Sequence, residues 1–100
     1  MKTKWGMWEH STWIPSEYFV SDKDIFDKMD TMLRKAGFNI CKFEHHTFEP
    51  EGYTATWILS ESHLAIHTFP EDGRIHMQLS SCNFEKYVAF ITLLHEAYRC

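Results

Sequence analysis

Residues 61–71 read Glu-Ser-His-Leu-Ala-Ile-His-Thr-Phe-Pro-Glu, and they contain the clearest strand pattern in the sequence. Side chains that suit a protein core alternate here with polar or small ones, as they do along a strand with one buried face. Leu64 and Ile66 fall on the core side of such a strand, and His63 and His67 fall on the opposite side. We therefore expect a strand that presents two imidazoles on its uncovered side.

Strand patterns also occupy the segments on either side of this strand. β-Branched and aromatic residues recur over residues 38–48, 53–60 and 74–81. Turns rich in proline and glycine separate neighbouring segments, at residues 50–52 and 70–73. Short turns between consecutive strands are typical of hairpins, so the sequence predicts an antiparallel sheet.

Two helices are predicted, one before and one after these strands. Ser21 is placed to cap the first helix, and Gly37 marks its end. Asn83 is placed to cap the second helix, which reaches Tyr98. The apolar positions are Ile25, Phe26, Met29, Met32 and Leu33 in the first helix, and Tyr87, Val88, Phe90, Ile91, Leu94 and Tyr98 in the second.

The first twenty residues carry many aromatic side chains and one proline. We interpret residues 17–20 as the close of a first strand. The aromatic side chains, among them Trp5, Trp8 and Trp13, are interpreted as core or as a contact between subunits.

Together these segments predict an α+β fold, a two-layer sandwich in which both helices cover one face of an antiparallel sheet. The other face would carry His63, His67, His76 and Cys82 with no layer over it. An uncovered face and an aromatic-rich N-terminal segment favour association, so we expect a homodimer.

Length and composition narrow the class of protein. One hundred residues suit a single domain over residues 1–100. The net charge of −4 and the lack of a basic run argue against nucleic acid as a partner, and the apolar runs are too short to cross a membrane. No apolar segment follows the basic start, so no secretory signal is expected. Three cysteines without paired spacing fit a reducing compartment, and we expect a cytoplasmic protein.

Residues 61–71 resemble the self-cleavage segment of the small prokaryotic S-adenosylmethionine decarboxylases, a pyruvoyl-dependent family. Cys82 stands twenty residues after Ser62, at the spacing of the family's catalytic cysteine. Residues 48–54 read Phe-Glu-Pro-Glu-Gly-Tyr-Thr, which is similar to a family segment of Phe-x-Pro-x-Gly followed by a hydroxyl residue. The resemblance begins near Cys41 and ends at Cys82.

The resemblance implies that the chain cleaves itself between Glu61 and Ser62. The Ser62 hydroxyl would attack the preceding carbonyl to form an ester, and β-elimination would leave dehydroalanine. Its hydrolysis would give ammonia and a pyruvoyl group, which is the cofactor, with no metal expected. The resemblance assigns His67 and Thr54 to this processing, and it makes Cys82 the acid that returns a proton after decarboxylation. We expect His67 and Cys82 to lie near the Ser62 backbone on one sheet face.

The resemblance also implies a substrate and a reaction. S-Adenosylmethionine would be decarboxylated to supply aminopropyl groups for spermidine synthesis. Phe48 and Phe69 would stack on the adenine, and Glu71 would bind the ribose hydroxyls or the sulfonium region, because anionic and aromatic groups suit a cation.

The chain departs from the family pattern at several positions. Residues 80–83 read Ser-Ser-Cys-Asn, where the family usually has Phe-Thr-Cys-Gly. Phe69 replaces a tryptophan, Ala65 stands where serine or threonine is common, and Thr54 replaces a serine while keeping the hydroxyl.

Two other classes of function stay open from the residues. A chain can keep a fold and lose its chemistry, which would make this one an unprocessed ligand-binding or regulatory homologue. A Zn²⁺ site is the other class, although the sequence contains no HExxH or CxxC spacing. Its possible ligands are His45, His46, His63, His67, His76 and Cys82.

Overall fold

The regular elements of the computed structural model, which describes residues 6–98, follow the local sequence signals. One strand and one helix precede four further strands and a second helix. The bounds are Trp8–Pro15 (β1), Asp22–Lys35 (α1), Ile40–Thr47 (β2), Tyr53–Leu59 (β3), Ser62–Phe69 (β4), Arg74–Ser81 (β5) and Phe84–Tyr98 (α2). Short 3₁₀ turns follow β1 at Ser16–Tyr18 and β4 at Pro70–Asp72.

The five strands form one antiparallel sheet in the order β1-β5-β4-β3-β2. The central strand is β4, which pairs with β3 on one side and with β5 on the other. β1 and β2 form opposite edges, so α1 carries the chain from one edge of the sheet to the other. The antiparallel sheet predicted from the sequence is confirmed.

Both helices pack on the same face of this sheet. Leu33 of α1, and Phe90 and Leu94 of α2, are fully buried in one cluster with the inward side chains of the strands. Trp57 of β3 is also fully buried, and its Nε1 donates a hydrogen bond to Oδ1 of Asp30 in α1 at 3.2 Å. The predicted two-layer α+β sandwich is therefore confirmed.

The helices begin where the sequence places their caps. The Ser21 hydroxyl accepts a hydrogen bond from the N–H of Asp24 at 3.1 Å, at the start of α1. The side-chain oxygen of Asn83 accepts one from the N–H of Lys86 at 3.0 Å, at the start of α2. The cap at Asn83 also fixes the short connection after β5, which contains Cys82. In residues 6–98, neither helix is long and apolar enough to cross a membrane.

Two local predictions are wrong. Residues 17–20 do not close a strand, because β1 ends at Pro15 opposite Arg74, the first residue of β5, and no partner strand continues beyond it. Val88 does not widen the buried side of α2, since it is 41% exposed. The buried positions of α2 are Tyr87, Phe90, Leu94 and Tyr98, which leave Val88 on the outer side.

The N-terminal aromatic residues divide between the two sides of the sheet. The Trp8 ring lies 4.5 Å from that of Phe84 and 6.0 Å from that of Tyr87, so Trp8 packs on the helix side. Trp13 is 43% exposed and pairs with His76 on the other side. The predictions for Trp5 and for Cys100 lie outside the described residues.

The side of the sheet opposite the helices is solvent-facing in the described part of the chain, and we call it the open face. Strand register assigns to it the side chains of Trp13, Thr54, Ile58, His63, Ala65, His67, Phe69, Arg74 and His76. Ile58 is 45% exposed there.

Candidate functional site

The predicted cleavage position lies in the two-residue turn between β3 and β4. Leu59 pairs with Ser62, so Ser60 and Glu61 alone connect the two strands. Glu61 has a φ of 59°, a left-handed conformation that costs a residue with a Cβ atom roughly 1–2 kcal/mol. The peptide bond to Ser62 thus follows a strained residue at the end of the central hairpin.

Ser62 is the first residue of β4, and its side chain points to the helix side. It is 8% exposed, whereas Ser81, its cross-strand partner on β5, is completely buried. The Ser62 hydroxyl donates a hydrogen bond to the Ser81 hydroxyl oxygen at 2.7 Å. Ser81 also accepts a hydrogen bond from the N–H of Asn83 at 3.0 Å. The hydroxyl that would attack the backbone is therefore held by a second, buried hydroxyl.

Cys82 lies directly against Glu61. Its Sγ is 3.4 Å from the Glu61 carbonyl oxygen and 3.5 Å from one oxygen of the Glu61 carboxylate. Partial desolvation, followed by the hydrogen bond to Glu61 and its charge, raises the pKa of the Cys82 thiol. A thiol that stays protonated can donate to the carbonyl oxygen beside it and can act as a general acid.

His67 and Thr54 form a second group near the far end of β4. They are cross-strand partners, and Oγ1 of Thr54 lies 3.1 Å from Nδ1 of His67. His67 is exposed on the open face. It lies five residues beyond Ser62, about 16 Å along a strand. The prediction that His67 lies near the Ser62 backbone is wrong within one chain, because the two residues are five positions apart on β4 and their side chains point to opposite faces of the sheet.

The three predicted substrate-binding residues lie where β4 ends. Phe69 is half-buried, and its ring lies 5.5 Å from that of Trp13. Phe48 follows β2, is 48% exposed, and packs edge-on against the ring of His46 at 4.5 Å. Glu71 is exposed in the 3₁₀ turn after β4. Two aromatic rings and a carboxylate therefore share one end of the sheet.

Sequence reasoning missed two features of this site. The Arg74 guanidinium lies over the Trp13 ring, 4.1 Å from its centre, beside Phe69. The contact between Ser62 and Ser81 was also missed. The sequence did contain a signal for this contact, because the turn at residues 70–73 sets the register of β4 and β5 that pairs the two serines.

The predicted site residues thus fall into two groups at opposite ends of the sheet. The group where β4 begins, here called the cleavage end, contains Glu61, Ser62 and Cys82. The group where β4 finishes, here called the histidine end, contains Phe48, Thr54, His67, Phe69 and Glu71. Among residues 6–98, no three histidine, cysteine, aspartate or glutamate side chains lie close enough to hold a metal ion.

The sequence is similar to a known protein family and to several of its members. The family model described as S-adenosylmethionine decarboxylase matches residues 12–99. The S-adenosylmethionine decarboxylase proenzyme of Syntrophomonas wolfei is 40% identical over 60 residues, which is 60% of this chain and 48% of that protein. The corresponding proenzyme of Geobacillus kaustophilus is 40% identical over 65 residues, 63% of this chain and 52% of that protein. The chain therefore spans about half the length of the curated relatives it matches.

A solved structure supports the fold. The crystal structure of the adenosylmethionine decarboxylase from Aquifex aeolicus superimposes with a TM-score of 0.73 at 18% identity, covering 93% of this chain and 78% of that one. At this identity the likeness concerns the fold alone. The family model extends over most of the residues that build the sheet and both helices. On that match, the chain belongs to the S-adenosylmethionine decarboxylase family.

Proposed function

We propose that this chain is a carboxy-lyase that cleaves itself between Glu61 and Ser62 and then decarboxylates S-adenosylmethionine to supply aminopropyl groups for spermidine synthesis. One observation carries the proposal. A hydroxyl, a left-handed residue and a protonated thiol surround a single peptide bond at the cleavage end. The matched relatives are named proenzymes, which fits a chain made as a precursor.

The first step is attack by the Ser62 hydroxyl on the carbonyl carbon of Glu61. The new C–O bond forms, the C–N bond breaks, and the hydroxyl proton ends on the Ser62 nitrogen, which leaves an ester. The Cys82 thiol, 3.4 Å from the carbonyl oxygen, donates to the negative charge that develops there. Rupture of the C–N bond also relaxes the left-handed backbone at Glu61.

The second step is β-elimination, in which a base takes the Cα proton of Ser62 and the Cβ–O bond breaks to release Glu61 with a carboxylate. The dehydroalanine that remains is hydrolysed by water to a pyruvoyl group and ammonia. His67 is on the open face and carries the imidazole that the resemblance assigns to processing. Within one chain it lies about 16 Å from Ser62 along β4, too far to reach this proton.

A homodimer would bring this base to the cleavage end. Two open faces can stack around a two-fold axis that runs across the strands, so that β4 of one subunit begins where β4 of its partner ends. Stacked sheets lie about 10 Å apart, a gap that facing side chains fill. The axis would cross β4 near Ala65, between Ser62 and His67, where the side chain is small enough for close approach.

The same dimer would assemble a substrate pocket from both ends of the sheet. When formed, the pyruvoyl group supplies a carbonyl that accepts the substrate amine and draws electrons from the bond to the carboxyl group. The position fits this group, because the Cys82 thiol beside it is held protonated and can return a proton to the substrate carbon. Phe48 and Phe69 of the partner subunit would flank the adenine, and its Glu71 carboxylate would favour the sulfonium.

Intact-mass spectrometry of the purified protein tests the proposal. We expect two fragments, residues 1–61 with a normal carboxylate and residues 62–100 with a pyruvoyl N-terminus. Ser62→Ala should leave one uncut chain because alanine has no nucleophile. Ser60→Ala, a serine in the same turn, is the matched control and should still be cut. A single mass of 11.9 kDa after long incubation would refute self-cleavage.

An unprocessed homologue that binds S-adenosylmethionine is the second candidate. The cleavage end and the histidine end are far apart within one chain, and this separation favours the unprocessed homologue for any form of the protein that does not dimerise. Calorimetry separates the two candidates, since heat of binding from an uncut chain without turnover would support the regulatory homologue.

A further inference from the structure

We infer that Ser81 is a positioning residue for self-cleavage, because it holds the Ser62 hydroxyl on the helix side of the sheet. The inference rests on the proposed function, since it assigns a residue to that reaction. The resemblance by itself assigns Ser81 no role.

The hydrogen bond between the two serines is set by the sheet. Ser62 and Ser81 are cross-strand partners on β4 and β5, and their hydroxyl oxygens are 2.7 Å apart. Both residues are buried, Ser81 completely. Among the residues that the structure describes, the Ser81 hydroxyl is the one hydrogen-bond partner of the Ser62 hydroxyl.

Ser81 is itself fixed by the start of α2. The Ser81 hydroxyl oxygen accepts a hydrogen bond from the N–H of Asn83 at 3.0 Å. The same hydroxyl donates a hydrogen bond to the Asn83 carbonyl oxygen, with 3.4 Å between the two oxygens. With its proton directed there, the Ser81 oxygen is left as an acceptor for Ser62. Asn83 is the cap of α2, so the Ser62 hydroxyl is tied to the end of a helix rather than to a mobile loop.

This arrangement affects the attack in two ways. A buried hydroxyl with one acceptor stays in one rotamer, so the position of the Ser62 oxygen relative to the neighbouring Glu61 carbonyl is fixed. A donated hydrogen bond also increases electron density on the attacking oxygen. No proton is transferred to Ser81 overall, since the Ser62 hydroxyl proton ends on the Ser62 nitrogen when the C–N bond breaks. His67 cannot replace Ser81 here, because its side chain is on the open face.

The test measures the cleavage rate of freshly translated chain by intact mass over time. Ser81→Ala should slow cleavage about tenfold, the rate equivalent of one hydrogen bond. Ser81→Thr restores the hydroxyl, in the residue type that the family usually has there, and should cleave near the wild-type rate. The matched control is Ser80→Ala. Ser80 is also buried, but its hydroxyl points to Glu9 on the opposite side of the sheet at 3.4 Å.

The outcomes of this test distinguish a role of Ser81 in cleavage from an effect on stability and from failure of the proposed function. A Ser81→Ala chain that is cut at the wild-type rate overturns the inference and leaves the proposed function standing. Equal slowing in Ser80→Ala, or no recovery in a folded Ser81→Thr chain, assigns the effect to stability and also overturns it. Circular dichroism establishes folding for each variant. A wild-type chain that forms neither fragments nor a hydroxylamine-sensitive ester overturns the inference together with the proposed function.

Discussion

Glu61 combines a left-handed backbone with a carboxylate that contacts the Cys82 thiol, and both properties bear on the same bond. The strained backbone would favour rupture of the peptide bond to Ser62. The carboxylate disfavours ionisation of the thiol, which keeps a proton available beside the carbonyl. Cleavage would then add a second carboxylate at Glu61, so the thiol would be held still more firmly in its protonated form.

At the residue scale, Glu61→Gln should lower the pKa of the Cys82 thiol toward its usual value. Glutamine removes the negative charge that opposes the thiolate, so the thiol should ionise at a lower pH. The measurement is the pH profile of alkylation in an uncut Ser62→Ala chain whose other two cysteines are replaced by serine. Glu71→Gln, a surface glutamate in the turn after β4, should leave the profile unchanged. An identical midpoint in Glu61→Gln would show that this carboxylate does not act on the thiol.

Between elements, the contact of β1 with α2 contains the half-buried imidazole of His10. The His10 ring lies 5.8 Å from that of His95, and its Nε2 atom is buried with no hydrogen-bond partner in residues 6–98. Desolvation first, and then the charge of His95, lower the pKa of His10 below the usual 6.5. The folded state therefore binds protons less readily at this position than the unfolded chain does.

This difference in proton binding predicts that the protein loses stability as the pH falls below the usual histidine pKa of 6.5. Both states are uncharged at His10 well above the unfolded pKa, and the unfolded chain takes up the proton first on acidification. Urea midpoints at about pH 7.5 and 5.5 should therefore differ less for His10→Gln than for the wild type. His63→Gln, which changes an exposed histidine, should keep the wild-type difference. Equal pH dependence in all three proteins would contradict the assignment to His10.

Elements set by neighbouring residues could be predicted from the sequence, whereas distant pairings could not. Ser21 and Asn83 mark the helix starts because a cap acts on the next three residues. The pairing of β1 with β5 joins residues that are 59 to 73 positions apart, and no local pattern encodes it. Alternation along β4 gave the correct face for His67 but not its distance from Ser62, since a period of two carries no information on separation.

In the whole molecule, a single chain places the two groups of predicted site residues at opposite ends of the sheet. The open face between them carries the exposed Ile58 and the small Ala65, and no other described element covers it. Stacking two such faces would bury apolar surface and would join the cleavage end of one subunit to the histidine end of the other. Assembly and chemistry are therefore linked in this proposal, since a monomer would lack the base for elimination.

Co-expression of two inactive chains tests whether the site is shared between two subunits. A Ser62→Ala chain lacks the nucleophile and a His67→Ala chain lacks the base, so neither should be cut alone. In a mixed dimer the His67→Ala chain meets an intact His67 of the partner subunit, and intact-mass spectrometry should show that this chain alone is cut. His63→Ala, which changes another exposed histidine of β4, should be cut without help. Cleavage of His67→Ala by itself at the wild-type rate, or no cleavage in the mixture when the wild type is cut, would contradict a site shared between two subunits.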